Sequence, residues 1–333
     1  MMKTFLITSA KRVALSIGVS ALFAASLASA VSLEKYPQLG EMAARLNGIN
    51  GLSEAQVKSW FEQAKIETKI IDAMNRPAER LEWHRYQSLF VNPASVNGGV
   101  QFMKANWATL ERAANKFGVP AEIIVAIIGV ETRYGKILGS LRVLDSLVTL
   151  SVEYPRRSKF FSSELEHFMK LTAEQGMDPT SIKGSYAGAM GIPQFMPSSY
   201  RDYAVDFDGD KRADLINSVD DAIGSVANYL SRYGWKKAGL IVTRVEGRPA
   251  GIEDRVTKKL KANASVKDVR ALGISVSGPG DENVGVLRFD ADGGPDYRIG
   301  HHNFFVITRY NRSQNYAMSV FELAEQIAVA AQN

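Results

Sequence analysis

Apolar residues recur at helical spacing along most of the chain. Leu39, Met42, Ala43 and Leu46 fall on one face, as do the apolar positions between Ser53 and Ala64. Ser53, three residues ahead of Gln56, predicts a capping box. Residues 103–117 read as one amphipathic helix closed by Gly118, because glycine takes the left-handed cap position without a Cβ penalty. After Pro120, which suits a helix start, the pattern changes. Ile123, Ile124, Val125, Ile127, Ile128 and Val130 put apolar side chains on every side of residues 122–133, and a helix apolar all round is a buried one. Gly135 ends it. Further helices are predicted at 143–153, 159–175 and 220–233.

From residue 236 the period shortens. Residues 240–245, 283–289 and 304–308 read as strands between turns such as Gly278-Pro-Gly-Asp and Asp292-Gly-Gly-Pro. Residues 313–331 return to helix, with Ser313 as its cap. The pattern predicts an α+β, mainly α chain with a helical domain at 31–118 completed by 312–333, a core at 119–235 and a small β-rich domain at 236–311.

The first thirty residues stand apart from this fold. Lys3, Lys11 and Arg12 precede an apolar, small-residue stretch, and Ala28-Ser29-Ala30 offers a cleavage site, the signature of a secretory signal peptide. The alternative, an uncleaved anchor, asks for a longer apolar run, on the order of 20 residues. Removing the three basic residues lowers the net charge from +5 to +2. With only loose runs such as Lys258-Lys259 and Lys261, no nucleic acid partner is expected. The absence of cysteine excludes disulfides, thiol catalysis, Cys-ligated zinc and a lipid-modified N-terminal cysteine. The mature chain is expected to be soluble in the periplasm, with no membrane anchor.

Four strings carry candidate chemistry. Glu131 lies in the last turn of the buried helix, where burial and the negative end of the helix dipole both favour the neutral acid. A carboxylic acid kept protonated near neutral pH suits protonation of a glycosidic oxygen; the alternative is a structural pair with Arg133 or another base. Residues 183–200 form a loop rich in Gly and Ala around Ser185, Tyr186, Gln194 and Tyr200, open enough for a polymer to approach the backbone or else a packed turn. Asp206, Asp208, Asp210 and Asp214 take positions 1, 3, 5 and 9 of an EF-hand-like calcium loop, with the Arg212 carbonyl at 7. Lys211 replaces the usual glycine at position 6 and Asn217 the closing Glu, so Asp220 is the candidate closing carboxylate. Arg156-Arg157, finally, is either a fork for a carboxylate-bearing substrate or a solvated pair. His84, His167, His301 and His302 form no zinc motif, and neither a nucleophile elbow nor a dinucleotide fingerprint is present.

Together these strings resemble the lytic murein transglycosylases of the B type, a branch of the lysozyme-like superfamily. The resemblance rests on 129–135 (GVETRYG), 154–157 (YPRR), 185–191 (SYAGAMG) with 194–200 (QFMPSSY), 206–210, and 308–311 (TRYN) with Tyr316-Ala-Met, and it runs from about residue 35 to 330. It implies a lysozyme-like catalytic core in which Glu131 is the sole acid and base. It further implies peptidoglycan contacts from Arg156, Arg157, Ser185, Tyr186, Gln194, Tyr310 and Asn311, and structural calcium on Asp206, Asp208, Asp210, the Arg212 carbonyl and Asp220. No organic cofactor is implied. The reaction implied is cleavage between N-acetylmuramic acid and N-acetylglucosamine with a 1,6-anhydro end. Asp145, Glu153 and Glu164 are candidate second carboxylates for a lysozyme-type hydrolase, the nearest rival. A calcium-dependent wall-binding protein without catalysis is the other. Ile192-Pro193 departs from the Tyr-Gly of some members, which puts sugar contacts there in doubt.

Overall fold

The structure is a computed structural model that describes residues 29–76 and 81–332. The segment read as a signal peptide lies outside the described residues except for Ser29–Ala30, whose backbone pairs antiparallel with Lys65–Ile66.

Most predicted helices form where the apolar spacing places them. Pro37–Leu46 buries Leu39, Met42, Ala43 and Leu46, the four residues that define its apolar face. Ser53 caps Glu54–Glu62 by accepting from the Gln56 amide, which supplies one half of the expected box. Such a cap contributes about 1 kcal/mol. The stretch expected as one helix at 103–117 is instead the end of Pro93–Ala105 and the whole of Trp107–Phe117. The break is at Asn106, where the backbone leaves the helical region at φ −121 and ψ 23, and the Asn106 side chain donates to the Phe102 carbonyl at 2.8 Å. An Asn that bonds its own backbone competes with the helix.

The Ala121–Thr132 helix is the centre of the molecule. Every residue in it is buried except Glu122 and Glu131. The Gln314–Ala331 helix packs against it, against Pro93–Ala105 and against Trp83–Phe90. Residues from Val31 to Ile327 share a single apolar core, to which Val143–Glu153 and Ser158–Gln175 contribute one wall.

Four short strands form an antiparallel sheet in the order Val242–Arg244, Gly294–Gly300, Asn283–Ala291, Ala264–Ser265. Alternation along Asn283–Ala291 splits its side chains between two cores. Val284 and Val286 join a small cluster with Val266, Val269, Tyr297 and Ile299, whereas Leu287 and Phe289 join the main one. The third expected strand, 304–308, is a helix, His302–Tyr310. A short apolar run reads alike as a buried strand or helix; here Asn303, Phe304, Val306, Ile307 and Thr308 are all buried against more than one neighbour. Among the described residues, no single helix is long and apolar enough to cross a membrane.

Candidate active site

The helix Ala121–Thr132 presents Glu131 half-buried at its C-terminal end, and the backbone there turns sharply. Arg133, Tyr134 and Gly135 all have positive φ, at 50°, 64° and 81°. Left-handed backbone costs about 1–2 kcal/mol for a residue with a Cβ, so the turn needs outside support. Thr132 supplies part of it: its hydroxyl donates to the Ile192 carbonyl at 2.9 Å and accepts from the Gly135 amide at 3.0 Å. Tyr134 supplies the rest. Its hydroxyl donates to the Ser95 carbonyl at 2.6 Å, and its ring lies in a slot left by Gly98, Gly99 and Gly129, where an added Cβ would come within 2.7, 2.9 and 2.6 Å of it.

Facing this turn is Tyr316 from the Gln314–Ala331 helix. Its hydroxyl donates to Oε1 of Glu131 at 2.6 Å. Tyr310 stacks beside it, with centroids 6.3 Å apart and an interplanar angle of 10°. Burial, and then the negative charge of Glu131, hold both phenols well above their ordinary pKa. Both hydroxyls therefore stay donors. That of Tyr310 is used on the Pro193 carbonyl at 2.6 Å, and its ring packs among those of Phe195, Tyr229 and Tyr316.

The loop at 183–200 packs against this turn, its Ile192 and Pro193 carbonyls accepting from Thr132 and Tyr310. Its glycines are not openings for substrate. A Cβ on Gly184 would meet the Ala189 carbonyl at 2.2 Å, on Gly188 the Leu147 side chain at 2.5 Å, and on Gly191 the Leu215 carbonyl at 2.3 Å. Close packing against protein accounts for the small residues. Tyr200 is likewise structural: buried, it donates to the Ala213 carbonyl and accepts from the Leu215 amide. Ser185 accepts from the amides of Ala187 and Ala189, and Tyr186 is 37% exposed. Gln194 takes φ 51 and donates to the carbonyls of Gly191 and Leu138. Arg156 and Arg157 lie exposed on the turn Pro155–Arg157, with the Arg157 guanidinium 4.2 Å from the Phe160 ring centroid. Asn311 is half-buried next to Tyr310.

The three candidate second carboxylates are engaged elsewhere. Asp145 takes two bonds from Arg142, each 2.7 Å, and one from the Lys65 amide. Glu164 accepts from the amide and hydroxyl of Ser198. Glu153 accepts from Tyr36 and pairs with Lys35.

In the acidic loop, Asp206, Asp208 and Asp210 bring carboxylate oxygens within 4.8 Å of one another, all exposed. Asp206 accepts from the amides of Gly209 and Lys211, and Asp208 from that of Asp210, so the loop curls around these groups. Three like charges so close repel in the absence of a cation, and hard oxygen donors suit calcium. Lys211 tolerates the position usually held by glycine by adopting φ 75. Asp220 is not grouped with the three; it accepts from the Thr109 hydroxyl at 2.8 Å. Asp221 turns inward instead and takes the amides of Phe207, Asp208 and Asp214.

One acid at the end of a buried helix, hydrogen-bonded by Tyr316 with Tyr310 stacked beside it, is an arrangement suited to a glycan-cleaving enzyme. More particularly, the chain belongs to the transglycosylase SLT domain family, whose model matches residues 36–325. It is a lytic transglycosylase. It is 40% identical over 293 residues to the membrane-bound lytic murein transglycosylase B of Escherichia coli K12, covering 84% of this chain and 80% of that one. The soluble lytic transglycosylase SltB1 of Pseudomonas aeruginosa superposes with a TM-score of 0.84 at 44% identity, covering 89% of this chain and all of that one. The Escherichia coli lytic transglycosylase Slt35, solved with bulgecin A and with calcium, superposes with a TM-score of 0.83 at 38% identity, over 92% of this chain and 97% of that one. The expected family and the lysozyme-like, mainly α fold are borne out.

Proposed function

We propose that the enzyme cleaves the β-1,4 bond between N-acetylmuramic acid and N-acetylglucosamine in peptidoglycan without consuming water. Glu131 gives its proton to the glycosidic oxygen as the bond to C1 breaks. The carboxylate then takes the proton of the muramyl 6-hydroxyl as that oxygen bonds to C1. A 1,6-anhydro ring closes and the acid is regenerated. A glycosidase ordinarily needs two carboxylates; an internal nucleophile removes that need.

The observation that carries this reading is that Glu131 stands against Tyr316 while Asp145, Glu153 and Glu164 are held by other partners. Arg156, Arg157, Ser185, Tyr186, Gln194, Tyr310 and Asn311 line the path of the glycan. Calcium held by Asp206, Asp208, Asp210 and the Arg212 carbonyl, with Asp220 behind them, stiffens the loop that carries Leu215. The Leu215 carbonyl accepts from the Ile192 amide, and the Ile192 carbonyl in turn accepts from Thr132 beside Glu131. The unit at 119–235 holds the chemistry, 31–118 with 312–333 supports it, and 236–311 adds a flank. The signal-like segment supports export to the periplasm.

Mass spectrometry of the products from purified peptidoglycan tests the reaction. Anhydromuramyl ends are expected; reducing ends would make the enzyme a hydrolase. Glu131→Gln is expected to lose at least ~10²–10⁴-fold in turnover, the usual worth of a general acid. Undiminished lysis by that variant would remove Glu131 from the mechanism.

A further inference from the structure

Charge is spread unevenly along the chain. Residues 236–270 hold ten basic and four acidic residues, a net +6, whereas the whole chain carries +5. The excess is therefore local to this stretch and not a property of the molecule at large. The structure sorts it further. Arg244 and Arg248 pair with Glu325 and Glu253, and Arg270 donates to the carbonyls of Val276 and Gly278. The lysines are left over. Lys236, Lys237, Lys258, Lys259 and Lys261 are exposed, as is Arg309, and among the described residues none has a carboxylate within ion-pair distance.

These residues meet on one face. Two adjoining depressions of about 220 and 640 Å³ share Asn283 and His302 in their walls. Lys261 and Arg309 line the first, Lys236 and Lys237 the second. Lys258 and Lys259 share a tight turn with Lys261. The Thr257 hydroxyl closes it by donating to the Lys259 and Lys261 carbonyls at 2.7 and 3.1 Å, and the Thr257 amide donates to the Val286 carbonyl of the sheet at 2.8 Å. The other lysine pair is pinned by Asn303. Fully buried, it accepts from the Lys236 amide at 2.9 Å and donates to the Lys236 and Gly239 carbonyls at 2.8 and 3.1 Å. Both lysine-bearing turns are thus held by regular structure, one by the small sheet and one by the His302–Tyr310 helix.

Apolar side chains stand among the charges. Leu240, 44% exposed, lines the depression that holds Lys236 and Lys237, and Tyr233, 38% exposed, lines that of Lys261. Surfaces that rest on a bilayer combine basic residues, which meet the phosphates, with aliphatic and aromatic side chains that enter the headgroup layer. The choice of lysine also matters. An arginine fork recognises one carboxylate or phosphate bidentately, whereas lysine ammonium groups are compact point charges on flexible stems. Five lysines beside a single arginine suit an extended sheet of negative charge better than one discrete anion. Their field reaches about 8 Å at physiological salt.

We propose that this face docks reversibly onto an anionic lipid surface, with Lys236, Lys237, Lys258, Lys259 and Lys261 over the headgroup phosphates and Leu240 and Tyr233 in the headgroup layer. The contact is peripheral, in keeping with the absence among the described residues of a single helix able to cross a membrane. It holds the enzyme beside a bilayer through the small sheet and leaves Glu131 and Tyr316 out of the contact.

The test is cosedimentation of the protein, recovered after secretion, with vesicles rich in phosphatidylglycerol and with vesicles of phosphatidylcholine. The first thirty residues are the same in every variant, so they cancel in the comparison. Wild type should bind the anionic vesicles, stay in solution with the neutral ones, and be released as salt rises. A basic residue close to an anionic surface is worth about fivefold in binding. The Lys236→Gln/Lys259→Gln/Lys261→Gln variant should therefore bind about 100-fold more weakly, and its Lys→Arg counterpart as wild type does. Leu240→Ser should weaken binding without changing its salt dependence. All variants should keep the wild-type Tm and rate of peptidoglycan lysis. Equal binding to both kinds of vesicle, binding to neither, or undiminished binding by the Gln variant overturns the proposal. A Gln variant that lost affinity for purified peptidoglycan instead of for vesicles would overturn it too, by giving the face to the wall.

Discussion

The hydroxyl of Tyr316 donates to Oε1 of Glu131 at 2.6 Å, joining residues 185 positions apart. A hydrogen bond to a charged group is worth about 1.5–3 kcal/mol. It is strongest when Glu131 is a carboxylate, the state left after the proton has gone to the departing oxygen. Tyr316→Phe keeps the stacked ring and removes the donor. We expect kcat to fall about 10- to 100-fold with KM nearly unchanged. Steady-state kinetics on a defined muropeptide substrate, with a thermal melt to show intact folding, checks this.

Gly129 gives a packing prediction. A Cβ there would lie 2.6 Å from Oη of Tyr134, which is already held by Ser95. Gly129→Ala should cost about 1–3 kcal/mol, the usual price of overpacking, and lower Tm by several degrees. Gly40 is the contrast: it lies inside the Pro37–Leu46 helix with nothing within 4 Å of an added Cβ. Gly40→Ala should stabilise by about 0.5–1 kcal/mol. Calorimetric melts of the two variants should shift in opposite directions.

Glu131 stands out in the sequence because an otherwise apolar helix has few reasons to carry an acid in its last turn, and spacing alone drew Asp206, Asp208 and Asp210 together. Tyr316 does not stand out as the partner of Glu131, because a contact across 185 residues leaves no periodic trace. The glycines at 184, 188 and 191 could mean an open floor or a packed turn until their neighbours were seen. The helix His302–Tyr310 was hidden for a related reason: burial on several sides erases the periodicity that separates helix from strand.

The acidic loop predicts a metal dependence. A ligand that binds only the folded chain stabilises it by about 2.7 kcal/mol at a hundredfold excess over Kd. Calcium should raise Tm by several degrees and a chelator should reverse the rise. Magnesium, which prefers a tight octahedron and keeps its waters, should do less. Asp208→Asn should abolish the calcium shift in differential scanning fluorimetry. An identical shift in that variant would place the ion elsewhere.

His301 predicts an acid limb of stability. It is fully buried, with Nε2 2.9 Å from the Thr243 hydroxyl and Nδ1 3.6 Å from Glu282. Burial lowers its pKa from 6.5, and Glu282 only partly opposes this. A histidine with a depressed folded pKa binds its proton more weakly folded than unfolded. Its contribution is therefore present above 6.5 and lost as pH falls through the folded value. Denaturant melts between pH 7.5 and about 5 should show stability falling below ~6.5, with a shallower slope in His301→Gln.

The Gln314–Ala331 helix has a consequence for the timing of activity. It supplies Tyr316 to the acid and lies against Ala121–Thr132, Pro93–Ala105 and Trp83–Phe90. A chain still emerging from a ribosome has made Glu131 long before it has made this helix. Until the helix docks, the acid lacks its hydroxyl partner and the surrounding core lacks a wall. The acid is therefore complete only once a segment made well after it has docked, so catalysis waits on the packing of the Gln314–Ala331 helix.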